Sequence, residues 1–166
     1  HPKELQLQQK EVVLSTASKL FSPNEEVYPL LELLREELAL LTSIKPEITP
    51  THSQEADVVL EIDPELANGE FNIDIQEVVH VKGGSYQALA KAKTSLLQLV
   101  MEKEGQLVFP VLIIKDKAEA SYRGLMIDLA RKWHEMGTVK KLIDLAAFNK
   151  LNYVQLHITD YHSYTL

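Results

Sequence analysis

The chain has 166 residues, of which 45% are hydrophobic and 25% charged, and it carries a formal charge of −7 and no cysteine. That length holds one good core, or one small domain plus a piece of another, and it falls well short of the roughly 250 residues of a whole (β/α)8 barrel. The acidic balance, with no Lys/Arg cluster to offset it, argues against a partner bound through its phosphate backbone. The lack of cysteine removes disulfides, thiol catalysis and cysteine-zinc sites together.

No apolar run approaches the ~18 residues of a membrane span. The start, His1-Pro2 without methionine, reads as trimmed and is compatible with a removed signal and an exported protein. Residues 1–10 are polar, with Gln6, Gln8, Gln9 and two lysines, and are expected to fray. Val12-Val13-Leu14 is a short strand candidate. Ser22-Pro23-Asn24-Glu25-Glu26 offers cap residues and first-turn acids for a helix. Val27, Leu30, Leu31, Leu34, Leu38 and Leu41 then form one apolar stripe, the mark of a core-packing helix.

Residues 42–56 hold two prolines and several Ser/Thr and read as a loop. A strand is predicted over 57–62, ended by Asp63-Pro64. Phe71 to Ile75 alternates apolar and polar, and Val78-Val79-His80-Val81 follows closely enough to make a hairpin with it. Gly83-Gly84-Ser85 starts the next helix, whose apolar set is Tyr86, Leu89, Ala90, Leu96, Leu97 and Val100, with Gly105 just past its end. Val111 to Ile114 is a continuous apolar run, suited to a strand covered on both faces. These elements predict an α+β domain over 1–117, a single sheet with two helices packed on one face.

The grammar changes after residue 117. Gly124 to Leu129 reads as a strand, and Thr138 as the cap of a helix burying Val139, Leu142, Ile143, Ala146 and Ala147. Lys150 and Asn152 close that helix, and Tyr153 to Ile158 is the next strand. Strand, helix and strand in that span make a βαβ unit with parallel strands. Residues 118–166 are therefore predicted to be the first strand, helix and second strand of a truncated (β/α)8 barrel.

In such barrels the site forms where the strands end. Arg131 follows the first strand of this unit and Asp160 follows the second, so both fall on that rim. An arginine there can donate a fork of hydrogen bonds to vicinal hydroxyls or a carboxylate. An aspartate there can orient a histidine, hold a hydroxyl or act as a base. The competing reading for each is a structural ion pair that braces the loops.

Tyr122-Arg123-Gly124-Leu125-Met126-Ile127-Asp128-Leu129-Ala130-Arg131, then Leu142 to Asn152, then His157-Ile158-Thr159-Asp160, resemble glycoside hydrolase family 20, the β-N-acetylhexosaminidases. The preceding residues resemble the family's non-catalytic α+β domain in pattern only. There Gly83-Gly84-Ser85-Tyr86 and Ile114-Lys115-Asp116 match its helix start and last strand. The resemblance implies a retaining exo-glycosidase that releases terminal β-linked N-acetylglucosamine or N-acetylgalactosamine, with the substrate's own acetamido group as nucleophile. It implies no cofactor and no metal. Its general acid is a Glu preceded by an orienting Asp, and no Asp-Glu dipeptide exists in this chain. By resemblance, Arg131 binds hydroxyls of the terminal sugar and Asp160 supports a histidine coupled to the acid. Arg123, Gly124 and Asp128 form a structural signature of the first strand, with Gly124 permitting close packing and Arg123 pairing with Asp128.

Tyr161 stands where family members commonly have a second acid, and His162, Ser163 and Tyr164 replace the usual Gln and aromatic. The first rim loop reads Arg131-Lys132-Trp133-His134-Glu135 where a His then an aromatic is more typical. These departures bear on substrate range. Trp133 suits stacking on a sugar ring or packing on a neighbouring domain. His157, Asp160 and His162 would suit a metal only if the chain bends, because odd spacing sends the two histidines to opposite faces of a strand. His80 reads as a surface or satisfied strand residue.

The expectation is thus an inactive piece of a family-20-like enzyme whose partner is the terminal N-acetylhexosamine of glycans, with neither nucleic acid nor membrane span. Its isolated barrel elements are expected to self-associate, swap or disorder, because they expose apolar area and strand edges. The alternative is a non-catalytic α+β interaction module, which residues 1–117 alone would fit.

Overall fold

A computed structural model describes residues 2–42, 44–50, 56–161 and 163–164. The chain divides into two compact units, 1–118 and 119–166. In the first, strands β1 (Glu4–Leu14), β2 (Lys19–Phe21), β3 (Glu47–Ile48), β4 (Val58–Ile62), β5 (Glu70–Ile75), β6 (Val79–Gly83), β7 (Met101–Lys103) and β8 (Gln106–Lys117) join one mixed sheet. Its order is β1-β8-β5-β6-β4-β2-β3, with β7 also on β8. Helices α1 (Tyr28–Thr42) and α2 (Tyr86–Leu97) cover one face.

Alternation builds that covered face. Phe71, Ile73 and Ile75 of β5 and Val79 and Val81 of β6 are buried, and they pair in antiparallel register, Ile73 opposite Val81. Leu30, Leu31, Leu34 and Leu38 of α1 and Ala88, Leu89, Ala92 and Leu96 of α2 close the same core. The stripe ends one position early, since Leu41 is exposed and Thr42 takes the buried place. Lys93, itself buried on α2, pairs with Glu37 of α1.

Several local expectations are corrected. Residues 4–10 do not fray, because they belong to β1, an edge strand paired along β8. Between Leu7↔Leu112 and Glu11↔Pro110, three residues of β1 face one of β8, a bulge. Pro110 pairs with Glu11 beside that bulge and lies between the stretches of β8 that pair β7 and β5. A strand interior tolerates a proline in such a place. Asn24 does not cap its helix through its side chain; one 3-10 turn, Glu25–Val27, precedes α1. The Asn24 Oδ1 instead accepts the Ile62 N–H at 3.0 Å, tying that turn to β4. Gly105 is not a helix terminator: α2 ends at Leu97, and Glu104 and Gly105 take φ of +53° and +76° in the β7–β8 turn. Positive φ at both central residues fits a two-residue hairpin turn. The predicted loop over 42–56 contains β3, and residues 43 and 51–55 of it lie outside the described residues.

Ser85 caps α2, its Oγ accepting the Ala88 N–H at 3.2 Å. Gly84 must be small, because a Cβ there would fall 2.0 Å from the Ala67 carbonyl oxygen.

In the second unit, β9 (Gly124–Asp128) and β10 (Tyr153–His157) are parallel neighbours, joined through α3 (Met136–Phe148). This is the predicted βαβ unit. Thr138 does not cap the helix, which begins two residues earlier, after an extended Glu135. Ile127, Ala130, Val139 and Ala146 are its buried apolar side chains. No helix among the described residues is long and apolar enough to cross a membrane.

Candidate functional site

Parallel pairing in register, Tyr153↔Gly124 through His157↔Asp128, brings the carboxyl ends of β9 and β10 side by side. The turn leaving β9 is clamped from two directions. The Leu129 and Ala130 N–H groups donate to the His157 carbonyl at 2.9 and 3.1 Å. The Asp128 Oδ1 accepts the N–H of Ala130 and of Arg131, each at 3.1 Å. Asp128 therefore does not pair with Arg123, as its place in the signature suggested; its carboxylate stops the strand and shapes the turn.

Arg131 and Asp160 come together. The Arg131 Nε–H donates to Asp160 Oδ2 at 2.6 Å, although the arginine side chain remains 74% exposed. The other carboxylate oxygen accepts the Tyr161 N–H at 2.7 Å. That amide bond foremost, then Arg131, holds the Asp160 carboxyl below its ordinary range. Asp160 in turn raises the Arg131 guanidinium. One edge of the guanidinium is engaged, and its Nη1/Nη2 fork has the planar geometry that matches two adjacent hydroxyls or a carboxylate.

Arg123 lies at the other end of β9. Its Nε–H donates to the Lys150 carbonyl at 3.1 Å and its Nη1 to the Ala120 carbonyl. Its own N–H donates to Asn152 Oδ1 at 2.8 Å, and Asn152 Nδ2 donates to the Ser121 carbonyl at 2.8 Å. This network fastens the chain entering β9 to the turn after α3, where Lys150 takes a φ of +59°. At Gly124 a Cβ would fall 2.5 Å from the Tyr122 hydroxyl, so the missing side chain makes room for that ring, which stacks on Tyr153 at 4.8 Å between centroids.

Trp133 stands exposed on the rim loop. His162 lies outside the described residues, so the His157–Asp160–His162 grouping has no complete geometry. Among the described residues, no three His, Cys, Asp or Glu side chains come together as a metal site. A groove of about 350 Å³ in the first unit is lined by Lys3, Lys115 and Lys117 with Glu4 and Glu70. Two ion pairs cross it, Lys115 to Glu4 at 3.6 Å and Lys117 to Glu70 at 3.5 Å.

Residues 1–117 match glycosyl hydrolase family 20, domain 2, and residues 121–166 match the catalytic domain of the same family. The chain belongs to glycosyl hydrolase family 20. It is 33% identical over 126 residues to a beta-hexosaminidase of Vibrio furnissii, covering 72% of this chain and 21% of that protein. It is 41% identical over 51 residues to an N,N'-diacetylchitobiase of Vibrio harveyi, covering 31% of this chain and 6% of that one. This family 20 chain thus spans about a fifth or less of the length of these curated relatives. Its fold matches an exo beta-N-acetylglucosaminidase of Vibrio harveyi, solved with N-acetylglucosamine, at a TM-score of 0.89 and 24% identity, over 96% of this chain and 25% of that one. It also matches a beta-N-acetylhexosaminidase of Streptomyces coelicolor at a TM-score of 0.85 and 19% identity, over 96% and 34% respectively. At these identities the structural matches speak to fold.

Proposed function

We propose that this chain is part of a retaining exo-β-N-acetylhexosaminidase. Residues 1–117 form its non-catalytic accessory domain, and residues 118–166 supply the first strand, helix and second strand of its barrel. In this reading the Arg131 fork binds hydroxyls of the terminal N-acetylhexosamine, while Asp160 supports the catalytic machinery from the next strand end. Arg123, Gly124 and Asp128 hold the strand in place. The supporting observation is the joining of Arg131 and Asp160 at one strand-end rim, in a segment that matches the family's catalytic domain. The acid and its orienting aspartate would come from later strands, as this chain holds no Asp-Glu pair.

A chromogenic N-acetyl-β-glucosaminide tests the proposal. The 166-residue chain should release no chromophore, and the protein extended through its catalytic domain should release it. In that longer protein, Arg131→Ala should lower kcat/KM by about 100-fold, the loss of a bidentate, charge-assisted contact worth about 3 kcal/mol. Turnover by the 166-residue chain, or an extended protein inert toward both N-acetylglucosaminides and N-acetylgalactosaminides, would overturn it.

A further inference from the structure

We infer that Asp128 and Asp160 act together as positioning residues for Arg131, fixing its guanidinium before any ligand arrives; the inference rests on the proposed sugar-binding reading of Arg131. An arginine side chain carries about 2 kcal/mol of rotamer freedom. A contact made by an exposed, mobile arginine loses much of its strength in ordering it, and a contact made by a prepositioned one does not. Arg131 is exposed enough to be mobile, yet both ends of its freedom are restrained. Asp128 fixes where the residue leaves the backbone, because one carboxylate oxygen gathers the N–H groups of Ala130 and Arg131. Asp160 fixes the far end, taking the Nε–H at 2.6 Å.

The second carboxylate is itself held, its other oxygen on the Tyr161 N–H, so it cannot swing freely with the arginine. The division of labour follows from the topology. Asp128 ends β9 and Asp160 follows β10, and the two strands are hydrogen-bonded neighbours in register. Bonding at Nε, rather than at the terminal nitrogens, matters chemically. It uses a donor on the side of the guanidinium and leaves the Nη1/Nη2 fork for a vicinal diol. A lysine, which has no such second edge, cannot replace Arg131 in this arrangement. Asp160 thereby acts on the sugar through the arginine, a role distinct from the support of a histidine.

The experiment is nitrogen-15 NMR of the arginine side chains in the 166-residue chain, alone and as D160N, D128A and D128N. The Arg131 Nε–H should exchange with water at least tenfold more slowly than in the same chain unfolded in urea. D160N should erase that protection, because the amide replacing the carboxylate has one acceptor oxygen for two donors and keeps it on the adjacent Tyr161 N–H, turning its NH2 toward the Arg131 Nε–H. D128A should reduce it severalfold, and D128N, which keeps an acceptor oxygen at the same place, should restore it. Thermal midpoints should stay unchanged in D160N, which separates positioning from bracing of the fold. If D128A fails to fold, D128N and D160N still decide, since protection must survive the first and vanish in the second. An unprotected Arg131 Nε–H in the unaltered chain overturns the inference, as does protection that survives D160N. The outcome is independent of turnover. A protected Arg131 in an enzyme that ignores N-acetylhexosaminides removes the sugar reading alone, and an unprotected one in an active enzyme removes the positioning alone.

Discussion

The two units of this chain satisfy the same packing rules to very different degrees. The first buries two dozen apolar side chains between one face of its sheet and two helices. Among its described residues the second buries four, Ile127, Ala130, Val139 and Ala146, and leaves Met126, Val154, Leu156 and Phe148 at 58%, 38%, 45% and 49% exposure. The backbone of the second unit is nonetheless regular, with a full parallel register and both strand ends tied by side chains. Local hydrogen bonding can therefore specify a βαβ unit without supplying the core that would make it stable. Below about 70–80 residues a lone core seldom suffices even when well formed.

Separating the units is the strongest way to break this comparison. Residues 1–118 alone should unfold cooperatively in urea, while residues 119–166 alone should show no cooperative transition and little near-ultraviolet circular dichroism. The whole chain should self-associate with rising concentration through the apolar surface of the second unit, and residues 1–118 should stay monomeric in sedimentation. A cooperative, monomeric 119–166 would sink the contrast. Single substitutions probe it more gently. Leu34→Ala, in the fully buried α1 stripe, should cost about 3–4 kcal/mol in urea titration, from lost transfer energy plus a residual cavity. Leu156→Ala, half exposed on β10, should cost less than about 0.5 kcal/mol. Equal costs would mean that the second unit hides a core of its own.

How far the sequence foretold all this depends on how much of the physics was local. The α1 stripe and the alternation of Phe71, Ile73 and Ile75 were legible because one face of each is buried, and burial writes a period into the chain. Strands β2, β3 and β7, two or three residues each, are too short to show a period, and they form because neighbours offer them an edge. In β1 the polar Gln and Lys masked the Leu5 and Leu7 alternation, since the strand lies at an edge with little covering it. Gly105 was ambiguous in principle, as a glycine at positive φ ends helices and turns hairpins equally well. At the site, the rim placement of Arg131 and Asp160 followed from the βαβ pattern alone. The bond between them, and the turn from Asp128 to the Arg131 amide, depend on side-chain directions that no spacing rule carries.

The finest test compares acid behaviour in the two units. In the first, the Asp63 carboxyl lies below its ordinary value of 3.8, held by the Glu65 N–H and then by Lys82, whose ammonium it raises above 10.5 in return. A depressed carboxyl stabilises the fold fully above its unfolded pKa, and that stability drains away as pH falls through the folded value. A raised lysine contributes below 10.5 and fades as pH climbs through its folded value. In the second unit Asp160 is depressed too, by the Tyr161 N–H and then by Arg131. The sign is the same, but the fold that feels it is different. D63N should flatten part of the acid limb below pH ~4 in the urea midpoint of the whole chain, and D160N should leave that limb alone. D160N should instead remove Arg131 Nε–H protection at every pH, whereas in the unaltered chain that protection should be lost as pH falls below ~4. A D160N chain whose urea midpoint loses its acid limb would show that the second unit unfolds with the first, and the contrast between a self-sufficient unit and a dependent one would have to be withdrawn.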